Sequence, residues 1–119
     1  MVMGTQLAAL AEGLSLAEQL GLSATDVQSV LDNGAMASPM VSLKGPLMSK
    51  REYDTAFPLK YALKDMRFAL ELGAEVAAGL LAVSAAATAA YTAADDAGDL
   101  GDADFSAVME VACGKVKRE

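Results

Sequence analysis

The sequence predicts an all-α fold, a compact bundle of about five to seven helices. Three observations lead there. Only 5% of the 119 residues are aromatic and none is Trp, while Ala, Leu and Met abound. Such residues fit helices, whereas Val, Ile and the aromatics favour strands. Apolar residues also recur at three- and four-residue steps along several stretches. Finally, 54% of the chain is apolar, enough for a modest core in one domain of this length, so disorder is not expected.

Each element has its own signals. Leu7, Leu10, Ala11, Leu14 and Ala17 share one face and predict an amphipathic helix over 2–20, closed by Gly21. Its start carries none: Met1-Val2-Met3-Gly4 offers neither an N-cap nor a preceding turn, and reads as a chain cut within a helix. Ser23, with Asp26 three residues on in a capping-box-like position, starts a second helix that Asn33-Gly34 stops. Pro39, Gly45 and Pro46 predict a brief helix or turn near 38–44, then a connection to Phe57.

Pro58, at a position suited to N1, opens the main helix, which runs to about Gly73 or beyond with Leu59, Leu63, Met66 and Leu70 on its core face. The run from Val76 to Ala94 is uncharged and long enough to suggest a membrane span. Only Val76, Leu80, Leu81 and Val83 are strongly apolar aliphatics there, so a buried helix packed through small residues is the better reading. Asp95, Asp96, Asp99, Asp102 and Asp104 lack the D-x-[DN]-x-[DN]-G pattern and terminal Glu of a calcium loop. They read as a solvated turn that ends one helix and begins the next at Asp104-Phe105, and no metal site is expected.

Composition narrows function. A formal net charge of −7 argues against nucleic acid or an anionic membrane as the main partner, since both reward positive charge. The basic end, Lys115, Lys117 and Arg118, reads as a solvated tail. The single cysteine, Cys113, cannot form an internal disulfide and suits a reducing compartment. With no histidine, a Ser-His-Asp triad, a Cys-His pair and a His-ligated zinc site are excluded within the chain. No secretory signal is evident, because the N-terminus lacks a basic region and carries Gln6 and Glu12. Against this acidic background, "TAFPLKYALKDMRFALELG" places Lys60, Lys64 and Arg67 on one helical face. They are either a solvated face, with Glu71 offsetting Arg67, or part of an anion-facing site.

The order "AALAEGLSLAEQLGL", "LDNGAMASPMVSLKGP", "TAFPLKYALKDMRFAL" and "GDADFSAVME" resembles the C-terminal domain of the β-hydroxyacid dehydrogenases, the 3-hydroxyisobutyrate dehydrogenase family, over nearly the whole chain. Within it, the wording "MxMG", "GAxxxPMxSLKGP" and "FPLKxxxKDMR" is most similar to plant-type glyoxylate/succinic semialdehyde reductases. The resemblance implies the all-α domain shared with 6-phosphogluconate dehydrogenase, NADP or NAD as cofactor, small aldehyde or hydroxy acids as substrates, and a homo-oligomer.

It also implies a division of labour. A Rossmann domain carrying G-x-G-x-x-G would precede this domain, with a catalytic lysine in K-x-x-x-N on the linking helix. Neither motif occurs here, so the catalytic lysine is expected upstream of Met1, the chain alone should be inactive, and enzyme status rests on that missing half. Carried over, the family's cofactor-side lysine falls on Lys64 and its neighbouring aspartate on Asp65, as a substrate-pocket group or an orienting structural carboxylate. The pocket aromatic falls on Phe57 and the family tyrosine on Tyr91. Lys60 and Arg67 are weaker candidates, Arg67 being expected to pair with Glu71 or another carboxylate.

The stretch "AAGLLAVSAAATAAY" departs from the family's polar helix, and its contacts are in question. The alternative function is a non-catalytic assembly domain like that of the family's nuclear relatives. A cytoplasmic location is expected, with an organelle possible.

Overall fold

A computed structural model of the chain describes residues 1–76, 79 and 81–116; Leu80, Lys117 and Arg118, named above, lie outside them. Among the described residues there are six α-helices and one 3₁₀ turn. They are α1 (Val2–Gln19), α2 (Ala24–Asn33), α3 (Pro39–Lys50), α4 (Leu59–Glu75), α5 (Ala82–Asp96), and a 3₁₀ turn (Phe105–Val108) that runs into α6 (Met109–Ala112). No strand is formed among these residues; the one β-type pairing is an isolated antiparallel bridge between Pro58 and Asp104. The all-α expectation holds.

Helix α1 is the central element, packing against each of the other helices and the 3₁₀ turn. It buries Leu7, Ala11 and Leu14 fully among Met48 of α3, Leu63 and Met66 of α4, Tyr91 of α5 and Val108 and Met109 beyond. Its end follows from Gly21, whose φ of 74° lets the Leu22 amide reach the Ala17 carbonyl and its own amide reach Glu18, a Schellman closure. The Ser23 hydroxyl then accepts the Asp26 amide at 3.3 Å and starts α2.

Helix α3 differs from the expected brief turn near 38–44. It runs twelve residues, through Gly45 and Pro46, to Lys50. A proline within a helix removes one backbone hydrogen bond, a local cost that tertiary contacts outweigh here. Val41, Lys44 and Met48 recur at helical spacing and are all buried. Gly45 lets α3 approach the Gln28 carboxamide of α2, whose Nε2 donates to the Val41 carbonyl at 3.3 Å.

The helix closes on Arg51, a non-glycine residue at φ 61°. Its guanidinium offsets that cost by bonding Glu18 of α1 at 2.7 Å and the Cys113 Sγ at 2.9 Å. Glu110 lies 3.4 Å from its Nε and accepts the Tyr53 hydroxyl at 2.6 Å.

Pro58 is the N-cap of α4 and not its first helical residue, and its carbonyl accepts the Ala62 amide. The expected core face forms from Leu59, Leu63 and Met66, with Leu70 half-buried and the helix extending to Glu75. Helix α5 packs through small residues as expected but starts only at Ala82, Val76 being the C-cap of α4, and it buries one face, through Ala87, Thr88, Ala90 and Ala94, while Val83 stays exposed. None of the described helices is long and apolar enough to cross a membrane.

Tyr91 is completely buried, yet its hydroxyl has no hydrogen-bond partner. Desolvation, with a smaller contribution from the Asp104 charge, pushes that hydroxyl's pKa upward, so it stays a neutral phenol. An orphaned buried hydroxyl costs on the order of 1–3 kcal/mol. Tyr91→Phe is therefore expected to stabilise the chain by about 1 kcal/mol in urea unfolding. A loss of stability would show that the hydroxyl is satisfied.

Candidate functional site

Chain segment 52–58 and the turn 101–106 lie side by side in front of α4. The Leu59 amide donates to the Ala103 carbonyl at 2.9 Å and the Lys60 amide to Gly101 at 3.0 Å. The Asp104 amide donates to Tyr53 at 3.0 Å, and the Phe105 amide to Phe57 at 2.9 Å. These bonds satisfy backbone that regular structure leaves unpaired, and they fix the entry of α4.

The centre of this arrangement is the Asp104 carboxylate, which has no exposed surface. Lys44, 4% exposed on α3, spans both of its oxygens at 2.8 Å. Its Oδ2 accepts the amides of Ala56 and Phe57, each at 3.2 Å. Its Oδ1 accepts the Ser106 amide at 3.1 Å and the Ser106 hydroxyl at 2.7 Å. Lys44 Nζ also stands 5.2 Å from the centroid of the Phe105 ring.

Burial alone would raise the Asp104 pKa. The hydrogen bonds from Lys44, then from the Ser106 hydroxyl and amide and the Phe57 amide, outweigh it and hold the group below the usual carboxylate value. Sequence reasoning saw Asp104 as a helix start and missed the pair, because 60 residues separate the partners. One signal was available: Lys44 stands three residues after Val41 and four before Met48, on an apolar stripe where a cation needs a buried partner.

Phe57 sits at the outer edge of this assembly. Its amide is held by Asp104, its carbonyl by Phe105, and its ring meets the Phe105 ring edge-on, with centroids 5.8 Å apart and planes at 88°. The residue remains 37% exposed.

Lys64 and Asp65 follow on α4, both about half exposed and 3.2 Å apart. Lys64 Nζ also lies within 6 Å of the Tyr61 and Phe68 ring centroids. Phe57, Tyr61, Lys64 and Phe68 thus line one outward stripe of α4 and its entry, with Asp65 beside it. Lys60 is engaged by Asp102, which holds its pKa above the usual lysine value. Arg67 does not form the expected pair with Glu71; it donates to the Thr92 hydroxyl on α5 at 3.3 Å. The two helices pack side by side, and Thr92 stands one turn beyond the buried Thr88. Of the three cations on this face, Lys64 is held only by side chains of its own helix, an adjacent carboxylate and two rings, whereas Lys60 pairs with Asp102 and Arg67 with Thr92 of α5. A half-exposed cation between aromatic rings is suited to an anionic or hydroxyl-bearing ligand.

Among the described residues no group of three or more carboxylate or thiol ligands is placed to hold a metal. Asp102 faces Lys60 and Asp104 faces Lys44, so the acidic run is divided between separate ion pairs.

Comparison with known proteins gives one family and several relatives. Residues 1–112 match the family model described as NAD-binding of NADP-dependent 3-hydroxyisobutyrate dehydrogenase. The chain is 50% identical over 119 residues to glyoxylate/succinic semialdehyde reductase 1 of Arabidopsis thaliana, covering all of this chain and 40% of that protein. It is 45% identical over the same length to glyoxylate/succinic semialdehyde reductase 2, chloroplastic, of the same plant, covering 33% of it. Its fold matches a crystal structure of 3-hydroxyisobutyrate dehydrogenase from Salmonella typhimurium with a TM-score of 0.84 at 24% identity, over 92% of this chain and 38% of that one.

The Asp104 cluster has a defined acid response. Its pKa is lowered on folding, so its contribution is complete above the ordinary aspartate value of about 3.9 and is lost as pH falls through the folded value. Thermal melts of the parent should show this loss below about pH 4, and the Asp104→Asn variant should lack that component. At neutral pH the same variant leaves Lys44 buried without its partner and should cost about 3–5 kcal/mol.

Proposed function

The chain belongs to the family described as NAD-binding of NADP-dependent 3-hydroxyisobutyrate dehydrogenase, and on that premise we propose that it is the all-helical C-terminal part of an NAD(P)-dependent oxidoreductase acting on small aldehyde or hydroxy acids. The observation that carries this reading is the 50% identity to a glyoxylate/succinic semialdehyde reductase across all 119 residues. The chain spans 40% and 33% of the two plant relatives. We assign the dinucleotide-binding Rossmann half and the proton-donating lysine to sequence outside these residues, since neither G-x-G-x-x-G nor K-x-x-x-N occurs here. A cytoplasmic setting fits, with an organelle as the alternative raised by the chloroplastic relative.

The residues suit such a cofactor. A half-exposed lysine on an α4 face with two further cations, in a chain of net charge −7, is the complement an anionic dinucleotide needs. When bound, the nicotinamide would supply the hydride.

In this reading Lys64 exchanges its surface contact with Asp65 for a hydrogen bond to the cofactor inside a closed cleft, where a charged bond is worth more than in water. Asp65 is then free to accept a hydrogen bond from the substrate or to orient Lys64. Phe57 presents an apolar wall that excludes water from the reacting carbon. None of these groups donates the proton, which must come from the lysine outside the chain.

Two outcomes check this. The 119-residue chain mixed with NADPH and glyoxylate or succinic semialdehyde should oxidise no cofactor above background. When the chain is joined to the dinucleotide-binding half of the Arabidopsis thaliana relative, Lys64→Ala should lower kcat/KM by about 1.5–3 kcal/mol, the range for a hydrogen bond to a charged group. Lys60→Ala should cost much less, because Lys60 is already engaged by Asp102. Equal effects at the two lysines would return the stripe to a solvated cationic face.

We also propose that the domain self-associates. Val2 and Met36, each more than half exposed, line an apolar groove between α1 and α2 together with Leu10, Val27 and Leu31. Apolar surface of this kind marks domain or subunit contacts. Sedimentation at micromolar concentration is expected to show a species larger than the monomer; a clean monomer contradicts it.

A further inference from the structure

We infer that the buried Lys44–Asp104 pair is a positioning device for Phe57, and through it a determinant of substrate affinity; this rests on the reading of Phe57 as a pocket wall. Among the three candidate site residues, Lys64 and Asp65 have no support beyond each other and neighbouring rings. Phe57 is fixed at three points, and all three lead directly to the 104–105 dipeptide. The Asp104 Oδ2 receives its amide at 3.2 Å, the Phe105 amide binds its carbonyl at 2.9 Å, and the Phe105 ring holds its ring at 5.8 Å.

Asp104 can hold two adjacent amides only if its carboxylate plane is itself fixed. That is what Lys44 does from α3, bonding both oxygens while its Nζ rests over the Phe105 ring. Ser106 fixes the other oxygen through both its amide and its hydroxyl. The carboxylate therefore acts as a rigid acceptor whose far side sets where the Phe57 peptide lies. A displacement of one ångström at such a wall is enough to change binding of a ligand of only a few atoms.

The charge state matters as well as the shape. An Asn in place of Asp104 offers one acceptor oxygen and two donors, so it cannot accept from the Ala56 and Phe57 amides and from Ser106 together. It also leaves the Lys44 charge without a counterion. The Phe57 segment would then lose its anchor while α4 keeps its own core contacts through Leu59, Leu63 and Met66.

A double-mutant cycle tests this in the joined enzyme, with the aldehyde acid as varied substrate. Asp104→Asn should raise KM about ten-fold with kcat changed less than about three-fold, and in a Phe57→Ala background the same change should alter KM less than about two-fold. Equal KM effects in both backgrounds, or none in either, overturn the positioning role while leaving Phe57 in the pocket. If Phe57→Ala alone leaves KM unchanged, the pocket reading fails and takes this inference with it.

Should Asp104→Asn not fold, Ser106→Ala removes the hydroxyl bond and keeps the ion pair; it should show the same non-additivity at about two- to three-fold. In the 119-residue chain, Ser106→Ala should also shift the amide resonances of Ala56 and Phe57 while those of Leu63 and Met66 stay in place. Shifts spread evenly along α4 would mark a general loss of packing and contradict the proposal.

Discussion

One buried ion pair organises the front of this helical domain. Taking Lys44 and Asp104 out of water costs several kcal/mol for each ion, and their mutual attraction offsets that only when the remaining lone pairs are also satisfied. Here the Ala56, Phe57 and Ser106 amides and the Ser106 hydroxyl complete the carboxylate's bonding. A pair of apolar side chains could fill the same volume at similar stability. It could not accept backbone amides from one segment while capping the 3₁₀ turn of another. What the pair contributes is the registration of segment 52–58 on turn 101–106, and with it the angle at which α4 starts.

The proposed function rests on the contrast this creates. The core side of α4 is fixed by Leu59, Leu63 and Met66, and its entry by Asp104, so the outward stripe is presented from a rigid base. On that stripe the aromatic Phe57 is held by backbone and ring contacts, whereas Lys64 is half exposed and committed to neighbours it can leave. In the proposed function, Phe57 would be a preformed apolar wall for a small aldehyde acid and Lys64 an adaptable cation for a charged cofactor.

Much of the architecture was legible because its signals are local. Gly21 and Ser23 mark the α1–α2 junction with backbone conformation and a side-chain cap, and the three- and four-residue spacing of Leu59, Leu63 and Met66 gives α4 its buried face. The misreadings share a cause, which is that distant contacts overrode local preference. Pro46 argued for a break that the burial of Val41, Lys44 and Met48 overcame. Arg67 had Glu71 within helical reach and turned instead to Thr92, 25 positions away. Spacing singled out Lys60, Lys64 and Arg67 as one cationic face, but the choice of Lys64 among them, and Phe57 and Asp65, came from a resemblance. The Lys44–Asp104 pair was hidden for the same reason, although a lysine on an apolar stripe was its trace.

We propose that the outward stripe of α4 forms the cofactor and substrate side of a dehydrogenase cleft. A crystal structure of the joined enzyme with NADP⁺ tests it most directly. Lys64 Nζ is expected within hydrogen-bonding distance of the dinucleotide, with the Phe57 ring facing the space beside the nicotinamide and Lys44–Asp104 intact behind it. A cofactor bound with this stripe turned to solvent, and Lys64 still paired only with Asp65, would contradict it.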